Sequence, residues 1–377
     1  MIYLDYAAST PVDKKVLDLY YDTVLKYYAN PNSSHKLGIE ARNLIDDSTN
    51  NIASILGVLP CEIIYTSGAS ESNNLVIKGI CERYKNRGKH ILISALEHNS
   101  IVSASTYFQE RGFEVELIPV NKDGLIDITA LKSLLRDDTI LVSVCYVDSE
   151  IGLKQPIEAI GKILKEYPNC VFHADASQAV GKISTNFNNV DLVTITPHKF
   201  YGLNGIGIVI KKKDISLTPQ INGGKSLTIY RSGTPDTASI VSLKLALEIA
   251  VENLSNRYDY IKELSETLKQ ELKKYKNVHI NNTDASIPHT INFSVKGIKS
   301  IDLQKKLEDY NIYVSTKTSC CPIETPSKLV YALTKDKILS STSIRVSLSH
   351  LTTKEEINEF LRVFDIIYKE YEDCGKV

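Results

Sequence analysis

Residues 191–210 read DLVTITPHKFYGLNGIGIVI, in which two apolar runs rich in β-branched residues flank a polar turn. Each run predicts a buried strand, and the turn places Lys199 directly after the first strand, with His198 beside it. A lysine held in a cleft by such a turn can form a Schiff base, because partial desolvation favours the neutral amine. A solvated loop lysine is the alternative interpretation.

The same alternation of strand and helix patterns extends over residues 60–210. Apolar runs such as HILIS (90–94) and TILVSVCYV (139–147) alternate with amphipathic stretches such as QPIEAIGKILKEY (155–167). This pattern predicts an α/β fold with a mostly parallel sheet covered by helices. A helical pattern over 237–276 then leads to strands and helices in the order typical of a smaller α+β domain.

Length and composition indicate an ordinary globular protein. The chain has 377 residues, of which 43% are hydrophobic and 24% charged, and this size suits two domains. A net charge of −1 provides no field that would favour nucleic acid or anionic membranes. The first residues lack a signal-peptide pattern, and no apolar run approaches the roughly 20 residues that span a bilayer. We therefore expect a cytoplasmic protein with no membrane span and no direct nucleic-acid partner.

The cysteines do not suggest a disulfide framework or a metal site. They are scattered, odd in number and contain no C-x-x-C pair. Cys320 and Cys321 are different, because they lie together in TKTSCCPIE (316–324), a stretch without apolar periodicity. One of this pair is a candidate nucleophile. The isolated cysteines are predicted to be small core residues: Cys61, Cys81, Cys145, Cys170 and Cys374.

Two further stretches place polar groups where a strand runs into a helix. In YTSGASESNN (65–74), Ser70 and the backbone N–H groups at the helix start can bind a phosphate. In VFHADASQAVG (171–181), Asp175 ends a strand at the edge where α/β proteins bind ligands, and Gln178 follows one turn later. A carboxylate there can pair with a protonated pyridine nitrogen. Helix capping is the alternative for both Ser70 and Asp175.

Single polar residues also follow or interrupt apolar strands. His98 in ALEHNS (95–100) can stack on a flat cofactor ring or shuttle protons, although a hydrogen-bonded loop histidine is commoner. Arg345 lies within the apolar run SIRVSLSH (343–350) and needs a carboxylate partner, either an internal one or a substrate's. Thr234 in RSGTP provides a loop hydroxyl. These side chains are further candidates for ligand binding.

Taken in chain order, the motifs resemble those of the NifS-type cysteine desulfurases, which are pyridoxal-phosphate enzymes of the class V aminotransferase fold. The order is Ser-Gly-x-Ser-Glu-x-Asn-Asn, Glu-His, His-x-Asp-x-x-Gln, His-Lys, Arg-Ser-Gly-Thr and Ser-Ile-Arg-x-Ser. YLDYAASTP (3–11) and NPNSSH (30–35) are similar to the opening segments of that family. The resemblance extends from Tyr3 to LTTKEEI (351–357).

The resemblance implies a division into two domains. A large pyridoxal-phosphate-binding α/β domain would comprise residues 13–255. A smaller α+β domain would comprise residues 1–12 and 256–377, and it would carry a mobile cysteine loop at 316–325.

The resemblance also implies roles around the cofactor, pyridoxal 5'-phosphate. Lys199 would hold the cofactor covalently and later move the proton on the substrate Cα. Asp175 would keep the pyridine nitrogen protonated, so that the ring draws electrons from the substrate. Gln178 would bond the phenolic oxygen, while His98 would stack on the ring and assist proton transfer. The phosphate would be held by Ala69, Ser70, Thr196 and His198.

For substrate and assembly, the resemblance implies that Arg345 grips the carboxylate of L-cysteine. Thr234 would reach the phosphate in the neighbouring subunit, so a homodimer is expected. The enzyme would release L-alanine and leave the sulfur as a persulfide on Cys320, for an acceptor protein of iron–sulfur cluster assembly or tRNA thiolation. VSTKTSC matches Cys320 to the family's cysteine with a one-residue deletion after it, whereas matching Cys321 needs an insertion and a longer deletion.

The chain departs from the family pattern beside the expected substrate site. Ser149 in VDSEIG (147–152) stands where the family has an asparagine that helps to hold ring or substrate, and GGKSLT (223–228) loses a polar pair and gains Lys225. These departures leave open a related lyase or aminotransferase acting on selenocysteine or cysteine sulfinate. They also leave open a desulfurase-like subunit that mainly binds partners. Cys320 favours the desulfurase, because the other reactions need no mobile thiol.

Overall fold

The computed structural model describes residues 1–317, 325–375 and 377. The predicted nucleophile Cys320, its neighbour Cys321 and most of the predicted loop 316–325 therefore lie outside the described residues. The strands are β1 (Ile2–Tyr3), β2 (Ile63–Thr66), β3 (His90–Ser94), β4 (Glu114–Ile118), β5 (Thr139–Cys145), β6 (Val171–Asp175), β7 (Leu192–Ile195), β8 (Gly207–Lys211), β9 (Val278–Ile280), β10 (Thr290–Val295), β11 (Ile312–Tyr313) and β12 (Ser343–Ser347).

Most helices lie where an amphipathic stretch follows a strand or a capping residue. The helices are α1 (Lys14–Lys26), α2 (Lys36–Leu56), α3 (Ala69–Tyr84), α4 (Asn99–Gln109), α5 (Ile128–Leu134), α6 (Ile157–Leu164), α7 (Thr237–Glu252), α8 (Leu254–Leu272), α9 (Ser300–Asp309), α10 (Lys328–Thr334), α11 (Lys337–Ser341) and α12 (Lys354–Asp373). Among the described helices, none combines the length and apolarity needed to cross a bilayer.

A 7-stranded sheet in the order β2-β8-β7-β6-β5-β3-β4 forms the centre of the fold. β8 runs antiparallel to both of its neighbours, and the other pairs are parallel. Successive side chains of a strand point to opposite faces, so that Leu92 packs in one apolar cluster while Ile91 and Ile93 pack in another. Both faces are buried, which explains the continuous apolar runs and confirms the predicted α/β fold.

A second apolar core lies around the 3-stranded antiparallel sheet β12-β10-β9. Its members come from residues 261–368, together with Leu4. The N-terminal segment reaches this core because β1 pairs in parallel with β11. The backbone N–H of Ser347 also donates to the carbonyl of Leu4.

Two details differ from the sequence-based expectations. The helical pattern predicted over 237–276 is two helices, α7 and α8, and the second ends at Leu272. The break falls at Asn253, whose side-chain amide donates to the carbonyl of Ile249 and so competes with continued helix. Cys61 and Cys374 are exposed rather than in the core, whereas three other isolated cysteines are buried as predicted: Cys81, Cys145 and Cys170.

Candidate active site

Predicted site residues from distant parts of the chain line one cavity of about 400 Å³. The cavity lies where β5 and β6 end and where α3 and α4 begin, because parallel strands bring their carboxyl ends to one edge of the sheet. Ala7 and Ala8 of the N-terminal segment also line it. The predicted residues in the lining are Ala69, Ser70, His98, Ser149, Asp175, Gln178, His198, Lys199 and Arg345.

Lys199 is held by the N-terminal segment rather than by the sheet. It ends a short 3₁₀ turn after β7, and its Nζ donates to the carbonyl of Ala7 at 2.9 Å and to that of Ala8 at 2.6 Å. The proline that starts this turn restricts the backbone and removes one N–H donor. The Lys199 amine is therefore fixed at the cavity wall by the carbonyls of Ala7 and Ala8.

Asp175 is fixed from two sides at the end of β6. Its Oδ2 accepts from Nδ2 of Asn73 at 2.8 Å, and its Oδ1 accepts from the backbone N–H of Ser177 at 3.0 Å. The neighbouring His173 is completely buried between strands, and burial lowers the pKa of its imidazole to about 4. The carboxylate is thus anchored at the cavity without a cationic side chain of the protein as hydrogen-bond partner among the described residues.

Asn73 connects Asp175 to His98. Its Nδ2 also donates to Oγ of Ser100 at 2.9 Å, and that hydroxyl lies 2.8 Å from Nδ1 of His98. The backbone N–H of Ser100 points at the same Nδ1 at 3.2 Å, so Nδ1 is an acceptor and Nε2 carries the proton of the neutral ring. Asn73 belongs to the YTSGASESNN stretch, but the sequence pattern predicts no role for it. Its contacts cross α3, α4 and β6, and no local spacing reveals them.

The N-terminus of α3 forms the end of the cavity predicted to bind phosphate. Gly68 precedes this helix with a φ of 146°, in the region that favours glycine, and the first helical turn leaves backbone N–H groups without intrahelical partners. A Cβ at Gly207 would lie 2.7 Å from the Gly68 Cα, so the start of β8 packs directly against this turn. Gly207 is therefore required by this close approach, and Gly68 is favoured by its backbone conformation.

Glu71 fixes the same turn from the side. Its Oε2 accepts from the backbone N–H of Ser67 at 2.7 Å, and its Oε1 accepts from Nε of Arg231 at 3.0 Å. These contacts lower the pKa of Glu71 against the opposing effect of its burial. The charged carboxylate therefore ties the turn to the RSGTP segment.

Thr196 and Thr234 are not among the residues that line this cavity. Thr196 is completely buried, and its Oγ1 lies 2.9 Å from Nδ1 of His198, so it contacts a lining residue instead. Thr234 lines a second cavity of about 250 Å³, which shares Ser67 with the first. Direct phosphate contact by Thr196 and delivery of Thr234 to another subunit both stay predictions.

Arg345 has the internal carboxylate partner that the sequence left open. Its Nη2 donates to Oδ1 of Asp5 at 2.6 Å, and its Nη1 donates to the backbone carbonyl of Ser149 at 2.9 Å. The side chain is 1% exposed, and its Nε is buried without a hydrogen-bond partner in the described part of the chain. The guanidinium is thus held at the cavity wall with donor capacity remaining.

Asp148 stabilises the loop that carries Ser149. Its carboxylate accepts from the backbone N–H groups of Glu150, Ile151 and Leu153 at 2.6–2.8 Å. Burial raises the pKa of Asp148 to about 6, although these hydrogen bonds oppose the shift. Asp148 therefore folds its own loop, and three backbone donors offset the negative charge expected near a substrate carboxylate.

Glu97 is a buried acid for which the sequence predicts no role, although it precedes His98 in the Glu-His motif. Its Oε1 accepts from the backbone N–H of Cys145 at 2.6 Å and from Oγ of Ser94 at 2.8 Å. Its Oε2 is buried and has no hydrogen-bond partner among the described residues. Burial raises the pKa of Glu97 to about 8, so this carboxyl is largely protonated at neutral pH.

The described residues on either side of the predicted cysteine loop are fixed by Arg345 on one side and by Glu150 on the other. Ser315 exchanges backbone hydrogen bonds with Arg345 on the N-terminal side. On the C-terminal side, Oγ of Ser327 donates to Oε2 of the buried Glu150 at 2.5 Å. Between them, Nζ of Lys317 donates to Oγ1 of Thr325 at 2.8 Å. Cys320 lies within the undescribed residues that these contacts enclose.

The fold and site define a class of protein. A family model described as aminotransferase class-V matches residues 2–360, and the chain belongs to this family. Enzymes of this family depend on pyridoxal phosphate, and the residues in the cavity fit that cofactor. Lys199 offers an amine, Asp175 an anchored carboxylate and the start of α3 an anion cradle in which Gly207 leaves no room for a Cβ.

Individual relatives are similar to the chain over nearly its whole length. It is 35% identical to a protein named cysteine desulfurase IscS from Dictyoglomus turgidum, over 98% of this chain and 95% of that one. Among solved structures, one titled NifS-like protein superposes with a TM-score of 0.92 at 33% identity and covers 97% of this chain and 99% of its own. Another, titled SspA in complex with cysteine, has a TM-score of 0.82 at 29% identity and covers 94% and 100%.

Proposed function

We propose that the protein is a cysteine desulfurase that converts L-cysteine to L-alanine and passes the sulfur, as a persulfide on Cys320, to an acceptor protein. The observation that carries the proposal is the convergence of Lys199, Asp175, His98 and Arg345 on one cavity. An amine, an anchored carboxylate, a neutral imidazole and a guanidinium are the groups needed to act on an amino acid through this cofactor.

When bound, pyridoxal phosphate supplies an electron sink that weakens bonds at the substrate Cα and Cβ. Asp175, anchored by Asn73, keeps the proton on the pyridine nitrogen. Lys199 would hold the cofactor and take the proton from the substrate Cα, and His98 would assist proton transfer from the same cavity. Arg345 binds the substrate carboxylate through donors that Asp5 and Ser149 leave available.

The thiolate of Cys320 then attacks the sulfur of the bound substrate. A sulfur–sulfur bond forms and the carbon–sulfur bond breaks, and its electron pair returns to the carbon, which takes up a proton to give L-alanine. L-cysteine and an enzyme thiol therefore yield L-alanine and an enzyme persulfide, with no external oxidant or reductant. The assignment is supported by the position of Cys320 in the sequence, between Ser315, which pairs with Arg345, and Ser327, which bonds to Glu150 beside Ser149.

The decisive experiment incubates the purified, cofactor-loaded protein with L-cysteine and a reductant, and measures alanine and sulfide. Mass spectrometry of the peptide around residue 320 then locates the persulfide. We expect Cys320→Ala to abolish sulfide release while the bound cofactor remains, and Cys321→Ala to leave sulfide release measurable. Loss of activity in Cys321→Ala alone would show that the cysteines had been assigned in the wrong order.

The same assay separates the other activities that the sequence leaves open. A related lyase or aminotransferase would give a different pattern. The wild type would not turn over L-cysteine, and Cys320→Ala would still turn over selenocysteine or cysteine sulfinate. A protein that binds no cofactor would instead fit the partner-binding subunit. Ser149 and the altered GGKSLT segment (223–228) are the departures from the family pattern that motivate both tests.

The proposed assembly is a homodimer. Two features support it: Thr234 lines a cavity next to the one around Lys199, and α1 carries exposed apolar side chains. Light scattering coupled to gel filtration measures the mass directly, and a monomer that retains full activity would contradict the proposal. The exposed residues on and just after α1 include Leu17, Tyr21, Leu25 and Tyr28.

We further propose a domain division, a class of sulfur acceptor and a cellular compartment for the enzyme. The chain is divided into a large domain at 13–255 and a small domain formed by 1–12 and 256–377, which the separate apolar cores support. The sulfur acceptor is a protein of iron–sulfur cluster assembly or tRNA thiolation, and the enzyme acts in the cytoplasm. Incubating the persulfide form with candidate acceptors and following the labelled sulfur tests the acceptor.

A further inference from the structure

Lys182 is a buried lysine that contacts Gln178, a residue of the cavity lining. Its side chain is buried in the turn after β6, and its Nζ donates to Oε1 of Gln178 at 2.5 Å. No carboxylate forms a salt bridge with it within residues 1–317, 325–375 and 377. Lysines are rarely buried without a paired charge, so this position requires an explanation.

The contact of Lys182 fixes the orientation of the Gln178 amide. An ammonium donates hydrogen bonds and accepts none, so the amide oxygen must face Lys182 and the amide NH₂ must face the other way. That NH₂ donates to the carbonyl of Ala7 at 2.8 Å, which also accepts from Nζ of Lys199 at 2.9 Å. Gln178 lines the cavity, so its second N–H is available to an acceptor there.

The backbone around Lys182 packs against the Lys199 segment. Gly181 has a φ of 77°, and a Cβ there would lie 2.6 Å from the Cβ of Phe200, the residue after Lys199. Burial, followed by the positive charges of Lys199 and Arg345, lowers the pKa of Lys182 to about 7. Lys182 is therefore charged mainly below about pH 7, and where it is charged the repulsion acts equally on Lys199, because Coulomb energies are mutual.

Other titratable groups face Lys182 from neighbouring elements, but they carry little charge at neutral pH. Burial, with repulsion from Lys199 and Lys182, lowers the pKa of His198 to about 4. Burial likewise lowers the pKa of His289 to about 3. Within the described residues, the positive charges that lower the pKa of Lys182 are those of Lys199 and Arg345.

We propose that Lys182 is a positioning residue of the cofactor site: it holds the Gln178 oxygen so that the amide NH₂ faces the cavity, and its charge opposes protonation of the Lys199 nitrogen. The inference rests on the proposed function, because it assigns these effects to the site that binds pyridoxal phosphate. Lys182 acts through Gln178 and Lys199 and does not itself line the cavity.

Two substitutions separate the two effects. Lys182→Gln removes the charge but keeps an N–H donor for Oε1 of Gln178, whereas Lys182→Met removes both. Lys211→Gln is the matched control, because Lys211 is also a buried lysine but donates to the backbone carbonyls of Lys212 and Ile215, at the end of β8 away from the cavity. Each variant is loaded with pyridoxal phosphate after circular dichroism has established that it folds.

The first readout is the pH midpoint of the absorbance change of the bound cofactor, which reports protonation at the Lys199 nitrogen. We expect both Lys182 variants to raise this midpoint by about one pH unit. The second readout is the Kd of the apo protein for pyridoxal phosphate. We expect Lys182→Met to weaken binding about tenfold, and Lys182→Gln to stay within about threefold of the wild type.

The outcomes separate failure of this inference from failure of the proposed function. A wild type that binds no pyridoxal phosphate overturns the proposed function. If the wild type binds pyridoxal phosphate but the pH midpoint of the absorbance change is the same in folded Lys182→Gln, the proposed role of the Lys182 charge is overturned. Equal Kd values for the two Lys182 variants overturn the role in orienting Gln178. If Lys182→Met does not fold, Lys182→Arg, which keeps charge and donors, must match the wild-type Kd within about threefold.

Discussion

Oδ1 of Asp5 lies 2.6 Å from Nη2 of Arg345, although 340 positions separate the two residues in the chain. An arginine buried in a strand needs an acceptor, and here one carboxylate and the Ser149 carbonyl supply it. The guanidinium is therefore oriented before any substrate arrives. Preorganisation of this kind lowers the entropy that binding must otherwise remove.

Replacing the Arg345 guanidinium should weaken substrate binding more than cofactor binding. For Arg345→Lys we expect KM for L-cysteine to rise about thirtyfold, because a lysine cannot make paired contacts to Asp5 and a carboxylate at once. Steady-state kinetics with cofactor content measured by absorbance tests this. Arg362→Lys, at an exposed ion pair with Glu359, is the control. An unchanged KM would remove Arg345 from the substrate site.

The contact between Gly207 and Gly68 should be essential for cofactor binding. In Gly207→Ala, the added Cβ would lie 2.7 Å from the Gly68 backbone, so the start of α3 must move. We expect affinity for pyridoxal phosphate to fall at least about tenfold, because the backbone N–H groups lose their alignment. Fluorescence titration of the apo protein measures it. Gly224→Ala, with nothing within 4 Å of its Cβ, should bind normally.

Ser327 should stabilise the region after the predicted cysteine loop. Its Oγ donates to the buried Glu150 and also accepts from the backbone N–H of Val330 at the start of α10. We expect Ser327→Ala to lower the free energy of unfolding by about 2 kcal/mol, because the variant loses a helix cap and one hydrogen bond to a buried carboxylate. Urea unfolding measures this against Ser133→Ala, an exposed hydroxyl in α5. Equal stability in the two variants would contradict the contact.

Glu97 should make folding stability fall as pH rises. Its pKa is about 8 in the folded protein against 4.5 ordinarily, so between these values the folded chain keeps a proton that the unfolded chain releases. The contribution of protonated Glu97 to folding stability is fully present below about pH 4.5 and is lost as pH rises through about 8. Glu97→Gln removes the titration and keeps the acceptor of the Cys145 N–H.

We therefore expect the free energy of unfolding of Glu97→Gln, relative to the wild type, to increase between about pH 5 and about pH 8 by a few kcal/mol, on the order that this shift implies. Urea unfolding across this range provides the measurement. Glu110→Gln, whose side chain is 70% exposed, should show no such trend. A constant difference between Glu97→Gln and the wild type would mean that Glu97 is charged in the folded protein.

The sequence predicted what depends on local pattern. Apolar runs of strand length predicted the sheet, and polar residues at strand ends, such as Asp175, do lie at one cavity because parallel strands align their carboxyl ends. Partners that depend on long-range packing left no local signal. Asp5 meets Arg345, and Lys182 meets Gln178, only once the chain has folded.

Burial likewise could not be predicted residue by residue. Glu97 reads as an ordinary loop acid, yet the packing of the end of β5 removes it from water. Asp148 lies beside Ser149 in the sequence as an ordinary acidic residue, but in the fold its carboxylate accepts from three backbone N–H groups of its own loop. The break at Asn253 depends on a side-chain hydrogen bond that competes with the helix.

The pairing of β1 with β11 has a consequence for the order in which the chain is assembled on the ribosome. Residues of the 7-stranded sheet emerge early and can pack together, whereas Ile2 and Tyr3 must wait for Ile312 and Tyr313. Ala7 and Ala8, which hold Lys199, belong to that waiting segment. We therefore expect the Lys199 amine to gain these two hydrogen bonds only late in synthesis.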